Sequence, residues 1–152
     1  MRLEQKVAQK FIEGQKTLAI AESCTGGLIS NLLTNIPGSS AFFILGIIAY
    51  ANIAKTKILK ISPDLLKEYG AVSAPVASAM AQAVRQLLKT DYGLGITGIA
   101  GPRGGSPQKP VGTVFIAVSH GPKTTVKKYL FKGSRMSIKK RAAQTALKML
   151  AM

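Results

Sequence analysis

Apolar residues recur along this chain at two periods, and the way those periods alternate predicts its architecture. Leu3, Val7, Phe11 and Ile12 fall near helical spacing over residues 2–14, with Gly14 placed to end the helix. Thr17 to Ala21 is a short continuous apolar run, the signature of a buried strand. Cys24 to Asn35 returns to helical spacing and is stopped by Pro37-Gly38. Phe42 to Tyr50, rich in Ile and Phe, reads as a second strand, and Asn52 to Leu59 as a short helical turn. Ser62 followed by Pro63 opens a helix that closes at Gly70, and Ser73 caps an Ala-rich helix over residues 74–89. Tyr92 to Thr97 is a third strand. Val111 to Ser119 and Thr125 to Phe131 form a hairpin joined through His120-Gly121-Pro122-Lys123. A last helix, Arg135 to Met152, places Ile138, Ala142, Ala146 and Leu147 on one side.

Strands separated by helices, then a hairpin, predict an α/β fold: a single three-layer α/β/α domain over residues 1–152, with a mixed sheet of about five strands. Arg103 to Pro110, with its Gly-Gly-Ser-Pro core, is an exposed loop. In open α/β sheets ligands bind beyond the carboxyl ends of the strands. Ser23, Tyr50 and Thr97 each follow or end a strand, so parallel pairing of the first three strands brings them to one edge.

Composition narrows the setting. A chain of 152 residues, 47% hydrophobic, is large enough to bury its own core. Its longest apolar stretch, Ala41 to Ala51, is far short of the roughly 20 residues that span a bilayer. The N-terminal segment reads as an amphipathic helix and not as a signal peptide, and the expected location is the cytoplasm. One cysteine precludes an internal disulfide and fits a reducing compartment, and with a single histidine it leaves too few ligands for a protein-held zinc site. Charge is the outlying property: 21 Lys and Arg face 6 acids, a formal +15, and no acid follows Asp91. Such a field attracts phosphorylated small molecules or nucleic acid, although a solvated basic face accounts for it equally well.

The segment Ala21-Glu22-Ser23-Cys24-Thr25-Gly26-Gly27 links the first strand to a helix through hydroxyls, a thiol and two glycines. It reads either as a turn capped by Ser23 or Thr25, or as a site offering backbone N–H groups beside a nucleophile. A Ser-His-Asp triad is excluded, because the only histidine, His120, falls in the hairpin turn. Cys24 reads as a small buried residue. Glu22 has no second acid nearby in sequence, and Asp64 and Glu68 belong to a solvated helix face. A serine can instead be activated by a lysine whose ammonium is destabilised, by burial or by neighbouring cations. Lys55 and Lys57 lie just after the second strand, within reach of the Ser23 edge, and Tyr50 is placed to relay a proton or orient the serine.

Seven segments then occur in order: Ala21–Gly27, Ile36-Pro37-Gly38-Ser39-Ser40, Tyr50-Ala51-Asn52, Ala54-Lys55, Gly70-Ala71-Val72-Ser73, Thr97-Gly98-Ile99-Ala100-Gly101-Pro102 and Lys109-Pro110-Val111-Gly112-Thr113-Val114. Together they resemble the CinA C-terminal domain family, from about Val7 to the last helix. That family includes stand-alone amidohydrolases of nicotinamide nucleotides. The resemblance implies hydrolysis of the carboxamide of nicotinamide mononucleotide to nicotinate mononucleotide and ammonia, with no metal and no cofactor. It implies Ser23 as nucleophile, assisted by Tyr50 and Lys55, with Thr97 positioning the carboxamide or the nucleophile. On the same footing Thr25, Gly26 and Gly27 would serve the oxyanion, Gly98 and Gly101 would line the substrate, and Arg135 would hold the phosphate. Ser39 and Ser40 would line the site or only satisfy backbone groups.

Two positions differ from the family pattern: Ser134 stands where an acid is usual, and Ile53 where glutamate is usual. The expected partners are a phosphorylated nucleotide and further copies of the chain, with no membrane. The competing reading is a non-catalytic paralogue that binds nucleotide or nucleic acid. An aromatic content of only 6%, with no aromatics interleaved in a basic stretch, disfavours nucleic acid.

Overall fold

A computed structural model describes residues 1–152 as a three-layer α/β/α domain. Its elements, in chain order, are α1 (Leu3–Glu13), β1 (Leu18–Glu22), α2 (Leu28–Thr34), β2 (Phe43–Ile48), α3 (Asn52–Lys57) and α4 (Pro63–Tyr69). They continue with α5 (Ala74–Leu87), β3 (Tyr92–Gly98), β4 (Thr113–His120), β5 (Lys123–Leu130) and α6 (Arg135–Ala151). The five strands form one mixed sheet in the order β2-β1-β3-β4-β5. β1 pairs in parallel with both β2 and β3, and the hairpin β4–β5 completes the sheet antiparallel. Glu22 pairs with Ile48 on one side and Ile96 on the other, so the carboxyl ends of the three parallel strands are level.

The two sheet faces differ in residue size, and that difference sets how the helices sit. Side chains alternate across a strand. Leu18 and Ile20 point with Leu94 and Ile96 into the larger core, packed with Val7 and Phe11 of α1, Ile29 and Leu33 of α2, and Ile138 and Leu147 of α6. The opposite face is lined by Ala19, Ala21, Gly93, Gly95 and Ala117. Its small residues let α5 lie directly on the sheet through Ala77 and Ala81. A methyl group at Gly95 would stand 2.5 Å from the Ala77 carbonyl oxygen and 2.6 Å from the Ala81 nitrogen, both rigid helix backbone.

Several element ends depart from the pattern-based expectation, each for a local reason. α2 begins at Leu28 instead of Cys24, because Gly26 and Gly27 adopt left-handed φ values of 60° and 98° and so stand outside the helix. β5 begins two residues early, since only Gly121-Pro122 separates the paired residues His120 and Lys123. His120 therefore closes β4 and does not lie in the turn itself. Ser39–Ala41 forms a 3₁₀ turn that the pattern did not predict. β5 ends the sheet with exposed Lys123, Lys127 and Lys128, cations of the kind that discourage edge-to-edge pairing.

The close approach of α5 makes a stability prediction. Gly95→Ala must lift the helix or bend the strand, and is expected to cost about 3 kcal/mol. The check is the urea midpoint, and an unchanged midpoint would mean that α5 can be displaced freely.

Candidate active site

The turn after β1 is organised by Glu22. Period-2 alternation carries the Leu18–Ile20 stripe on to Glu22, so its carboxylate faces the start of α2. It is fully buried and accepts four hydrogen bonds. One oxygen takes the Thr25 hydroxyl at 2.6 Å and the Ile29 N–H at 3.0 Å. The other takes the Ser30 N–H at 3.0 Å and the Ser30 hydroxyl at 2.7 Å. The free N–H groups and dipole of the α2 start are thus satisfied by the protein's own anion. Neither Ser23 nor Thr25 caps the helix; Gly27 occupies the N-cap position and Glu22 supplies the acceptor. Sequence reasoning set Glu22 aside for want of a second acid. The usable signal was its place in the strand alternation, one turn before a helix.

With the turn held this way, Ser23 projects from the carboxyl end of β1, its own N–H bonded to the Ile96 carbonyl at 3.1 Å. Lys55, on α3, reaches it from the next strand connection: Lys55 Nζ lies 3.1 Å from Ser23 Oγ and 3.1 Å from the Tyr50 carbonyl oxygen. Lys55 is only 1% exposed, and no carboxylate lies within 4.0 Å of its nitrogen. Burial lowers its pKa below the ordinary lysine value; the Cys24 sulfur opposes this weakly. Desolvation is the cause, and the wider basic field is not among the contributors. The pairing therefore places a serine hydroxyl within hydrogen-bond reach of an amine biased toward its neutral form.

Ser23, Tyr50, Asn52, Lys55, Thr97 and Arg135 all line one cleft of about 210 Å³, with Gly98 and Ala100 also on its wall. Their connections differ from the sequence-based roles. Tyr50 is 56% exposed, and its hydroxyl accepts a hydrogen bond from Arg135 Nη2 at 2.8 Å; it bonds neither Ser23 nor Lys55. Only the Tyr50 main chain bonds Lys55, so the Tyr50 hydroxyl does not bridge Ser23 and Lys55. Arg135 also donates from Nη1 to the Gly101 carbonyl at 2.5 Å, which makes it a strut between α6, the loop after β3 and Tyr50. Thr97 is buried, and its hydroxyl donates to the Ala71 carbonyl at 2.9 Å, holding the segment before α5 against the cleft. At Gly98 a side chain would collide with Val114 and the Thr113 carbonyl, so glycine is required there by packing. Ala71 and Val72 of the Gly70–Ser73 segment also help to form the wall, although sequence reasoning assigned them no site role.

Other expected participants lie elsewhere. Thr25, Gly26 and Gly27 line a separate cavity of about 340 Å³ between α2 and α6. Their segment keeps donors without an oxygen acceptor: the N–H groups of Thr25 and Gly27, like that of Cys24, bond to no oxygen of the protein. Cys24 is buried, and its thiol is pushed up to about 12, which removes it as a thiolate nucleophile near neutrality. His120 stacks on Tyr92 at 3.9 Å, at the amino end of β3 and so at the edge opposite Ser23. Ser39 and Ser40 sit in the 3₁₀ turn, away from the cleft. No three His, Cys, Asp or Glu side chains converge anywhere in the fold.

Comparison with known proteins assigns the fold. The CinA C-terminal domain matches over residues 1–152. The chain belongs to that family. A CinA-like protein of Geobacter metallireducens is 53% identical over 145 residues, covering 95% of this chain and 35% of that protein. A CinA-like protein of Thermotoga neapolitana is 46% identical over 98% of this chain and 36% of its own length. The chain thus spans about a third of the length of these relatives. Among solved structures, a CinA superfamily protein from Enterobacter cloacae superposes with a TM-score of 0.94 at 34% identity, covering 98% of this chain and 88% of that one. The competence/damage inducible protein CihA from Agrobacterium tumefaciens gives 0.92 at 36% identity, with 97% and 91% covered.

The two departures from the CinA pattern have benign explanations. Ser134 is the N-cap of α6 and accepts the Ser137 N–H at 3.2 Å, a function that serine and aspartate perform about equally. Ile53 points outward on α3 and contacts nothing in the cleft.

The Glu22 cap makes the second prediction. Glu22→Gln turns one acceptor oxygen into an NH₂ facing fixed N–H donors, and should lower stability by about 3 kcal/mol. Thermal unfolding measures it; a loss below about 0.5 kcal/mol would mark the carboxylate as dispensable.

Proposed function

We propose that this domain hydrolyses the carboxamide of nicotinamide mononucleotide, giving nicotinate mononucleotide and ammonia. The observation that carries the reading is the buried Lys55 Nζ, 3.1 Å from Ser23 Oγ and without a carboxylate to hold its proton. A structural lysine at this depth would ordinarily be paired. The family resemblance supplies the substrate, and the basic composition agrees with it: a phosphate dianion on a pyridinium leaves a net negative molecule.

Ser23 Oγ attacks the amide carbon while neutral Lys55 takes the hydroxyl proton. The carbonyl oxygen becomes an oxyanion, stabilised by N–H groups of the turn after Ser23, where those of Cys24 and Thr25 bond no oxygen of the protein. As the tetrahedral intermediate collapses, the C–N bond breaks and Lys55 returns its proton to the departing nitrogen, which leaves as ammonia. The remaining ester on Ser23 is attacked by water, with Lys55 taking the water proton and then passing it to Ser23 Oγ as the acid is released. Arg135 and Thr97 act by holding the cleft wall, through Tyr50, Gly101 and Ala71.

Purified protein with nicotinamide mononucleotide should release ammonia. Ser23→Ala is expected to reduce kcat by about 10⁴-fold or more, and wild-type turnover no greater than that of the variant would overturn the reading.

Lys55→Met should reduce kcat by about 10²- to 10⁴-fold without loss of stability, because a buried cation is replaced by an apolar chain. Only neutral Lys55 accepts a proton, so wild-type kcat/KM should rise with pH through its lowered pKa and then level off. Folded Lys55 binds fewer protons than the unfolded chain between that lowered value and the ordinary 10.5. The stability of the wild type relative to Lys55→Met should therefore increase with pH across this window, Lys10 and Cys24 titrating in both proteins alike. A Lys55→Met protein of near-wild-type activity would exclude Lys55 as the base.

A further inference from the structure

The geometry points to the cavity between α2 and α6 as the phosphate subsite of the nucleotide, held by Lys139 and Lys140. It rests on the nucleotide-amidase reading above and assigns the phosphate to residues other than Arg135. The cavity measures about 340 Å³, and its walls include Thr25, Gly26, Gly27, Asn31, Lys139 and Lys140. Both lysines come from the first turns of α6, and neither has a carboxylate within 4.0 Å. Lys139 is half-buried, with its ammonium over the Gly26 backbone: a methyl group built on Gly26 would lie 3.5 Å from Lys139 Nζ. Any side chain at Gly26 would thus project into the space in front of that ammonium.

Three observations favour phosphate as the occupant. The cavity is cationic and has no acid on its wall; Glu22, the acid of the adjoining turn, is buried with all four of its acceptor positions filled. It adjoins the nucleophile, because the Gly26 N–H bonds the Ser23 carbonyl at 3.1 Å and closes a single turn. Residues at the two ends of such a turn lie within about 7 Å, which leaves a pyridine ring and a pentose to bridge from the Ser23 cleft to the lysines. Arg135, the alternative cation, already spends two of its N–H donors on Gly101 and Tyr50. A phosphate there would have to compete with the strut that holds the cleft wall. The pairing expected is a pair of charge-assisted N–H···O bonds from flexible ammonium groups to the phosphate oxygens, independent of the helix-start N–H groups that Glu22 occupies.

The test compares nicotinamide mononucleotide with its dephosphorylated nucleoside, nicotinamide riboside, as amide substrates of the intact chain. The ratio of kcat/KM for nucleotide over nucleoside should fall about tenfold in Lys139→Gln and about a hundredfold in Lys139→Gln/Lys140→Gln. An unchanged ratio in the double variant, or a fall produced by Arg135→Gln alone, would overturn the assignment. Calorimetric titration with inorganic phosphate reads the subsite without catalysis. Wild type should bind it, and the double variant should bind it at least tenfold more weakly. If wild type binds phosphate in this lysine-dependent way but hydrolyses neither amide, the subsite stands and the amidase reading fails. If the amide is hydrolysed but phosphate binding ignores both lysines, the reverse holds.

Discussion

The buried carboxylate of Glu22 is the constraint on which the functional end of this domain depends. A strand that turns straight into a helix leaves the first helical N–H groups without partners, and here two glycines in left-handed conformation stand where a polar N-cap would. Glu22 resolves the conflict from the strand side, bonding two of those N–H groups and two hydroxyls. One consequence is mechanical: β1 and α2 are tied at a fixed angle, and the intervening turn presents Ser23 at the level carboxyl ends of three parallel strands. The other is electrostatic. An anion already sits at the helix start, so an incoming anion must find its donors elsewhere, in the turn N–H groups around Cys24 and in side-chain cations.

Lys55 illustrates how burial and not local charge tunes the second member of the pair. It sits on a helix of only six residues, and such a helix owes its position to tertiary packing more than to its own propensity. Its ammonium is bonded to a serine hydroxyl and a main-chain carbonyl, which are neutral acceptors. Neutral partners satisfy the geometry of the group without compensating its charge, so the unpaired cation bears the desolvation cost. A carboxylate in place of either acceptor would hold the proton on Lys55. Tyr50 likewise meets Lys55 through a neutral carbonyl, while its phenol lies at the surface and accepts from Arg135.

Much of this was legible in the sequence, because it depended on features that sequence carries directly. The alternation of apolar periods is local, so the strand and helix order, the hairpin and the three-layer fold could all be read. The juxtaposition of Ser23, Tyr50 and Thr97 followed from parallel pairing alone. What could not be read depended on register between distant segments. Nothing local to Thr97 announces that its hydroxyl will hold Ala71, and nothing local to Arg135 announces a bond to Tyr50. The length of α2 was overestimated because helical spacing continues through Cys24 and Thr25, while the glycines that break it look compatible with a helix start. Glu22 has no partner acid in sequence to announce it, because its carboxylate accepts from backbone N–H groups and hydroxyls of the following turn and helix.

The uneven charge acquires a narrower meaning once the cations are placed. Arg2 and Glu4 form the one ion pair within 4.0 Å, so the basic residues after Asp91 are uncompensated by contact. They do not tune Lys55, whose lowered pKa comes from burial. Nor does Arg135 stand free among them, since its guanidinium is bonded into the cleft wall. What remains is a set of solvated lysines on β5 and α6, screened over about 8 Å at physiological salt, with Lys139 and Lys140 the two that line a cavity beside the nucleophile. Solvated cations concentrate anions near the surface but do not orient them. Orientation requires a cation held against a wall, and Lys139 is held against the Gly26 turn. On the reading proposed above, capture and placement fall to different members of one basic surface.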